Sequence, residues 1–192
     1  MASLGLRPDP TKMLTAARIR ELLHAVDTRL GHAALADPVG LVVVGGAAVA
    51  MQWNPGRTTY DVDVVSEGIP AEFWAAATDV GREEGLDDNW VNAAARIKAP
   101  TGPTPGEPIE LYAGSHLVVY GASPHYVLAM KLVAGRDVDL RDMPVLLDAA
   151  RPQTRHDLYD LVDQAYPNTP IPAATRYIID QVWADHTAAT PN

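Results

Sequence analysis

Between Thr11 and about Ala36 the apolar residues return at helical spacing. Leu14, Ile19, Leu22, Leu23, Val26 and Leu30 form one stripe, which predicts an amphipathic helix lying on a core, with Thr11 or Thr15 as its cap. The pattern then changes. Leu41-Val42-Val43-Val44 has no polar alternate, so it reads as a central strand covered on both faces. It stops at Gly45-Gly46, and 47–53 follows as a short apolar helix closed by Asn54-Pro55-Gly56. Tyr60-Asp61-Val62-Asp63-Val64-Val65 alternates with period two and predicts a second strand. Pro70 opens a helix running to about Glu84.

Further along, Trp90 to Ile97 and Ile109 to Tyr112 read as strands on either side of a Pro- and Gly-rich loop at 100–106. Leu117 to Tyr120 gives another strand. Ser123-Pro124 supplies a cap and a first-turn proline for a helix that carries Lys131. Helices over roughly 139–150, 154–166 and 171–188 complete the chain. The expected class is α/β: a mixed sheet with flanking helices and a helical C-terminal third. The expected division is an α/β core with its N-terminal helix over 1–122, and a helical part over 123–192 packed on that core.

Composition narrows the class. At 192 residues with 47% hydrophobic residues, the chain is long enough for one domain with a real core. It has no cysteine, which removes disulfides and thiolate metal sites. No export signal is recognisable, and the longest apolar runs are too short to cross a bilayer. A cytoplasmic protein with no membrane partner is therefore expected. The formal charge of −9 argues against non-specific nucleic-acid binding, which needs clustered Lys and Arg. A local basic face remains compatible with it.

The chemistry concentrates in two blocks. In the first, a buried strand runs into Gly45-Gly46, a short helix, Arg57, Thr59 and then Asp61-Val62-Asp63. Residues two apart on a strand project from one face, so Asp61 and Asp63 converge. Burying two such carboxylates without compensation costs several kcal/mol. A divalent cation offsets that cost, and hard oxygen ligands suit Mg²⁺ (or Mn²⁺), whose shell is completed by water and substrate phosphate. The glycines open a helix whose first amides can receive a phosphate at close approach. The second block places Lys131 among apolar residues on a helix, followed by Arg136, Asp139 and Asp142. A lysine in that setting either snorkels or is aimed at an anion in a cleft. Asp139 and Asp142 are three apart and share a helix face, although acidic residues also gather in a first helical turn for the macrodipole alone.

Gly45-Gly46-x-Ala, Gly56-Arg57-x-Thr59-x-Asp61-x-Asp63 and the Ser123–Asp142 segment with Lys131-Leu132-x-Ala134-x-Arg136-x-x-Asp139-x-x-Asp142 together resemble the DNA polymerase β-like nucleotidyltransferase superfamily. Within it they look like the minimal AbiEii/MenT-like branch, which includes toxins of bacterial toxin–antitoxin pairs. The matching blocks cover about a quarter of the chain. The resemblance implies a nucleotidyltransferase-type fold and Mg²⁺-dependent transfer from an NTP, with a tRNA 3′ end as one acceptor. It also implies a cognate antitoxin, kinase-like or a regulator. Asp61 and Asp63 would hold the metal, and Gly45, Gly46, Arg57, Thr59, Lys131 and Arg136 the triphosphate. At least one of Asp139 and Asp142 would belong to the site. Glu110 is the best-placed third carboxylate, for the metal or for deprotonating the acceptor. Thr59 stands where related toxins carry a hydroxyl that an antitoxin kinase can phosphorylate; two added negative charges there would repel the nucleotide.

Rival expectations stand beside this one. The acidic balance suits a small-molecule or protein acceptor better than RNA. A non-catalytic nucleotidyltransferase-like module that binds a partner is the reading from outside the enzyme class. His116, His125 and His156 show no ligand spacing, and Asp157 to Asp160 reads as a solvated helix face.

Overall fold

The computed structural model describes residues 9–189. A short 3₁₀ turn, Pro10–Lys12, precedes helix α1 (Ala16–Leu30), whose buried residues Ile19, Leu22, Leu23, Val26 and Leu30 are those of the apolar stripe. Thr15 is the cap, its side chain accepting the Arg18 amide at 3.1 Å. The helix ends at Gly31, earlier than the spacing of apolar residues predicts.

Five strands make one mixed sheet: β1 (Val39–Val44), β2 (Val62–Val64), β3 (Val91–Asn92), β4 (Ile109–Ala113) and β5 (Leu117–Gly121). Their spatial order is β3-β2-β1-β5-β4. β1 is the middle strand, parallel to β5 and antiparallel to β2, in keeping with its near-continuous apolar sequence. β2 pairs parallel with β3, and β4 closes the far edge antiparallel to β5. The β4–β5 turn is held by buried Asp27 of α1, whose carboxylate accepts the His116 amide at 2.7 Å.

Helix α2 (Gly45–Gln52) starts directly at the end of β1, and α3 (Ala71–Glu83) follows β2. Behind them come α4 (Pro124–Ala134), α5 (Asp137–Leu140), α6 (Met143–Ala150), α7 (Arg155–Ala165) and α8 (Ala173–Ala189). α4 is their hub and touches α2, α5, α6, α7 and α8. One hydrophobic cluster runs from Leu14 to Val182 and joins the sheet to this helical layer.

Two more expected elements are corrected. The strand over Trp90–Ile97 lasts only Val91–Asn92. The Asn92 side chain then accepts the Ala94 amide at 2.9 Å, a local turn that diverts the chain into a 3₁₀ segment, Ala94–Lys98. The helix expected over 139–150 is two helices. Pro144 lies in the first turn of α6, where its missing N–H costs nothing; inside one continuous helix it would remove a hydrogen bond.

Candidate functional site

β1 and β2 meet so that Val44 is paired with Asp63. In β2 the neighbours Val62 and Val64 are buried in the core, which turns Asp63 to the other face, with Asp61 two residues before it. Both carboxylates line a cavity of about 430 Å³. Gly45 lines it too, with a backbone φ of +66°. A Cβ there would lie 2.9 Å from Asp63 Oδ2, so glycine is demanded both by the left-handed backbone and by the carboxylate beside it. Val44, the N-cap residue of α2, supplies no side-chain acceptor.

The pair is electrostatically uncomfortable. Burial, then the charge of Asp61, pushes the Asp63 carboxyl up to about 6. Arg136, the adjacent Asn92 amide and Lys131 oppose that rise without cancelling it.

Lys131 is presented from the last turn of α4 and is almost wholly buried. Gly135 caps that helix in the left-handed conformation (φ 58°), and the chain folds back so that α5 returns beside Lys131. The ammonium donates to Asp139 Oδ1 at 2.8 Å and lies 2.8 Å from Asp142 Oδ2. That second oxygen receives no hydrogen bond, so the Lys131–Asp142 attraction is a charge contact off the hydrogen-bonding direction. Arg136 Nε donates to Asp139 Oδ2 at 2.6 Å while the Arg136 side chain stays 67% exposed. Arg57 Nε donates to Asp142 Oδ1 at 2.9 Å. Burial alone would push Asp139 up, but hydrogen bonds from Arg136 and Lys131 hold it below the usual carboxylate range. The result is a chain of alternating charge, Arg136–Asp139–Lys131–Asp142–Arg57, linking the turn before β2 to α4 and α5.

The structure thus brings Asp61, Asp63, Gly45, Lys131, Arg136 and Asp139 to one cavity. Asp142 and Arg57 stand behind it, tied to Lys131. Gly46 touches a different group: a Cβ there would lie 2.8 Å from Thr59 Oγ1. Thr59 is buried, its hydroxyl donating to Asp61 Oδ1 at 3.3 Å and its backbone bridged to Leu14. Phosphorylation of that hydroxyl would require this contact to open first.

Glu110 is not brought to the site. It is exposed on β4, the far edge strand, with β5 and β1 between it and β2. On the side of β2 away from β1 lies β3, whose residue in register with Asp63 is Asn92, an amide and not a third carboxylate. Among the described residues no group of three or more His, Asp or Glu side chains is gathered as a metal cluster. Sequence reading also missed Asn89, Asn92 and Lys98, which line the same cavity. The Asn92 side chain facing its own backbone two residues on was a readable turn signal; nothing in the sequence marked Lys98.

The donor set fits Mg²⁺. Two hard carboxylate oxygens on one face, one of them held ionised only at a cost, match a cation that takes one or two carboxylates and leaves the remaining positions to water and phosphate. Comparison with protein-family models, with curated proteins and with solved structures gave no match. No helix among the described residues is long and apolar enough to cross a membrane.

Proposed function

We propose that the chain is a metal-dependent nucleotidyltransferase whose centre is the Asp61–Asp63 pair. The observation that carries this reading is the combination of two carboxylates, one pushed up to about 6, with a side-chain-free Gly45 and the cations Lys131 and Arg136 around one cavity. Repelling, half-buried carboxylates cost stability, and a cation joining them offsets that cost. When bound, Mg²⁺ would supply charge neutralisation at the transferred phosphate. Asp61 and Asp63 would hold it. Gly45 would let the phosphates approach the α2 N-terminus. Arg136, exposed at one end while gripping Asp139 at the other, would offer its remaining N–H groups to the triphosphate.

The reaction is a displacement at the α-phosphorus. The acceptor hydroxyl oxygen forms the new P–O bond, the bond to the bridging oxygen breaks, pyrophosphate leaves, and the hydroxyl proton is released to solvent. The acceptor class follows from the resemblance rather than from this geometry: a tRNA 3′ end, in a toxin paired with an antitoxin. Small-molecule and protein acceptors are the alternatives that suit the −9 charge. A non-catalytic partner-binding module is favoured by one observation, that Lys131 is already occupied by Asp139 and Asp142.

The test is incubation of the purified chain with Mg²⁺, each α-labelled NTP in turn, and total tRNA, lysate protein or a small-molecule pool. Labelled RNA supports the toxin reading, and label in protein or a small molecule redirects the acceptor. No transfer to any of them under Mg²⁺ or Mn²⁺ overturns the enzymatic reading.

A further inference from the structure

The cavity is lined by three cations, Lys98, Lys131 and Arg136. Two are engaged: Lys131 and Arg136 both hydrogen-bond Asp139. Lys98 is exposed and, among the described residues, forms no ion pair. Its neighbour Arg96 does not share this freedom, being paired with Glu67. A cation already hydrogen-bonded to a carboxylate has fewer donors and less net field to give an anionic ligand, so the strongest unspent positive charge at this cavity is that of Lys98.

Its place is fixed from two sides. At one end, Asn92 stands in register with Asp63 and accepts the Ala94 amide, starting the 3₁₀ turn that ends at Lys98. At the other end, the Tyr166 hydroxyl donates to the Lys98 carbonyl at 2.9 Å. The Thr101 and Gly102 amides both donate to the Ala165 carbonyl, at 3.0 and 2.9 Å. Gly102 sits so tightly on α7 that a Cβ would fall 1.9 Å from the Gln164 carbonyl oxygen. The end of α7 therefore clasps the segment Lys98–Gly102 and holds the root of the lysine side chain at the cavity wall. This gives the helical C-terminal third a role at the site besides packing.

We propose that Lys98 binds the polyphosphate of the incoming substrate together with Arg136, and that Lys131 acts as a positioning residue for Asp139 and Asp142. This rests on the nucleotidyltransferase reading above. The ligand class is a nucleoside triphosphate with its Mg²⁺, recognised through its terminal phosphates.

The experiment measures binding by calorimetry, with Mg²⁺ present, to each of the four NTPs, to the matching nucleoside, and to inorganic tripolyphosphate as a base-independent probe. Lys98→Ala is expected to weaken NTP and tripolyphosphate binding about tenfold or more, as for loss of a charged hydrogen bond. It should leave nucleoside binding and thermal stability unchanged, and Lys98→Arg should restore most of the affinity. Triphosphate binding that is equally tight in wild type and Lys98→Ala overturns the proposal while leaving the nucleotidyltransferase reading intact. A wild-type chain that binds no triphosphate with Mg²⁺ overturns both. Gly102→Ala, which loosens the clasp without touching the lysine, is expected to weaken tripolyphosphate binding in the same direction; no change would refute the positioning by α7.

Discussion

Two pairs of aspartates stand at the same cavity or just behind it and live in opposite electrostatic conditions. Asp139 and Asp142 are nearly fully buried, yet each has a cation on both sides: Arg136 and Lys131 for the first, Lys131 and Arg57 for the second. Asp61 and Asp63 are less buried and worse served, and Asp63 is pushed up to about 6 by burial and by its twin. Burial raises both pairs; the balance of partners decides whether that cost is offset. The satisfied pair behaves as a frame that cannot easily give anything up. The unsatisfied pair has coordination to spare, and that is the pair a cation would complete.

The largest way to break this contrast is to remove the shared cation from the frame. Lys131→Met leaves Asp142 with Arg57 alone and Asp139 with Arg136 alone in a buried setting. We expect a loss of about 3–5 kcal/mol in urea denaturation, as for other buried pairs stripped of one partner. A variant within 1 kcal/mol of wild type would mean that the frame is not what holds α4, α5 and the turn before β2 together.

Next in size is the opposite experiment on the strained pair. Asp63→Asn should abolish nucleotidyl transfer while stabilising the metal-free chain by about 2 kcal/mol at pH 7.5, an order-of-magnitude figure from the raised carboxyl discounted for its partial exposure. The pH dependence follows from the sign. A carboxyl whose folded value is raised favours the folded state below the unfolded value near 3.8 and loses that contribution as pH rises to about 6. The advantage of the Asn variant should therefore be full above pH 6, shrink steadily between 6 and 4, and vanish below. Millimolar Mg²⁺ should raise the melting temperature of wild type at pH 7.5 and leave Asp63→Asn unmoved. A variant that is less stable than wild type at pH 7.5 would show that Asp63 is a structural anchor instead.

The regular elements are largely legible in the sequence, and the reason is local. The stripe on α1, the apolar run of β1, and the Ser123-Pro124 start of α4 each follow from spacing within a few residues. The convergence of Asp61 and Asp63 was equally legible, since period two is a property of the strand itself. What was not legible is what lies across the molecule. Nothing near Glu110 in sequence tells that its strand closes the far edge of the sheet, or that a two-residue strand carrying Asn92 takes the place beside β2. The apolar setting of Lys131 allows snorkelling or an anion in a cleft, and the chain's return at Gly135 gives it two carboxylates of its own. Lys98 carried no signal because its position depends on Tyr166 and Ala165, more than sixty residues away.

The finest probe of the contrast is at the outer end of the satisfied chain. Arg57 holds Asp142 through Nε and turns its other N–H groups to the Thr58 carbonyl and toward Gly46. Arg57→Lys keeps the charge but offers one compact ammonium in place of a planar fork, so it can serve Asp142 or the backbone and not both. Because the charge survives, the Asp142 carboxylate is not orphaned, and the expected cost is only about 1 kcal/mol. The turn before β2 carries Thr59, whose hydroxyl contacts Asp61, so the same substitution should also lower transfer activity a few-fold by loosening one member of the strained pair. Stability reduced with activity untouched would separate the two pairs completely. Activity reduced at full stability would instead place Arg57 on the substrate and not in the frame.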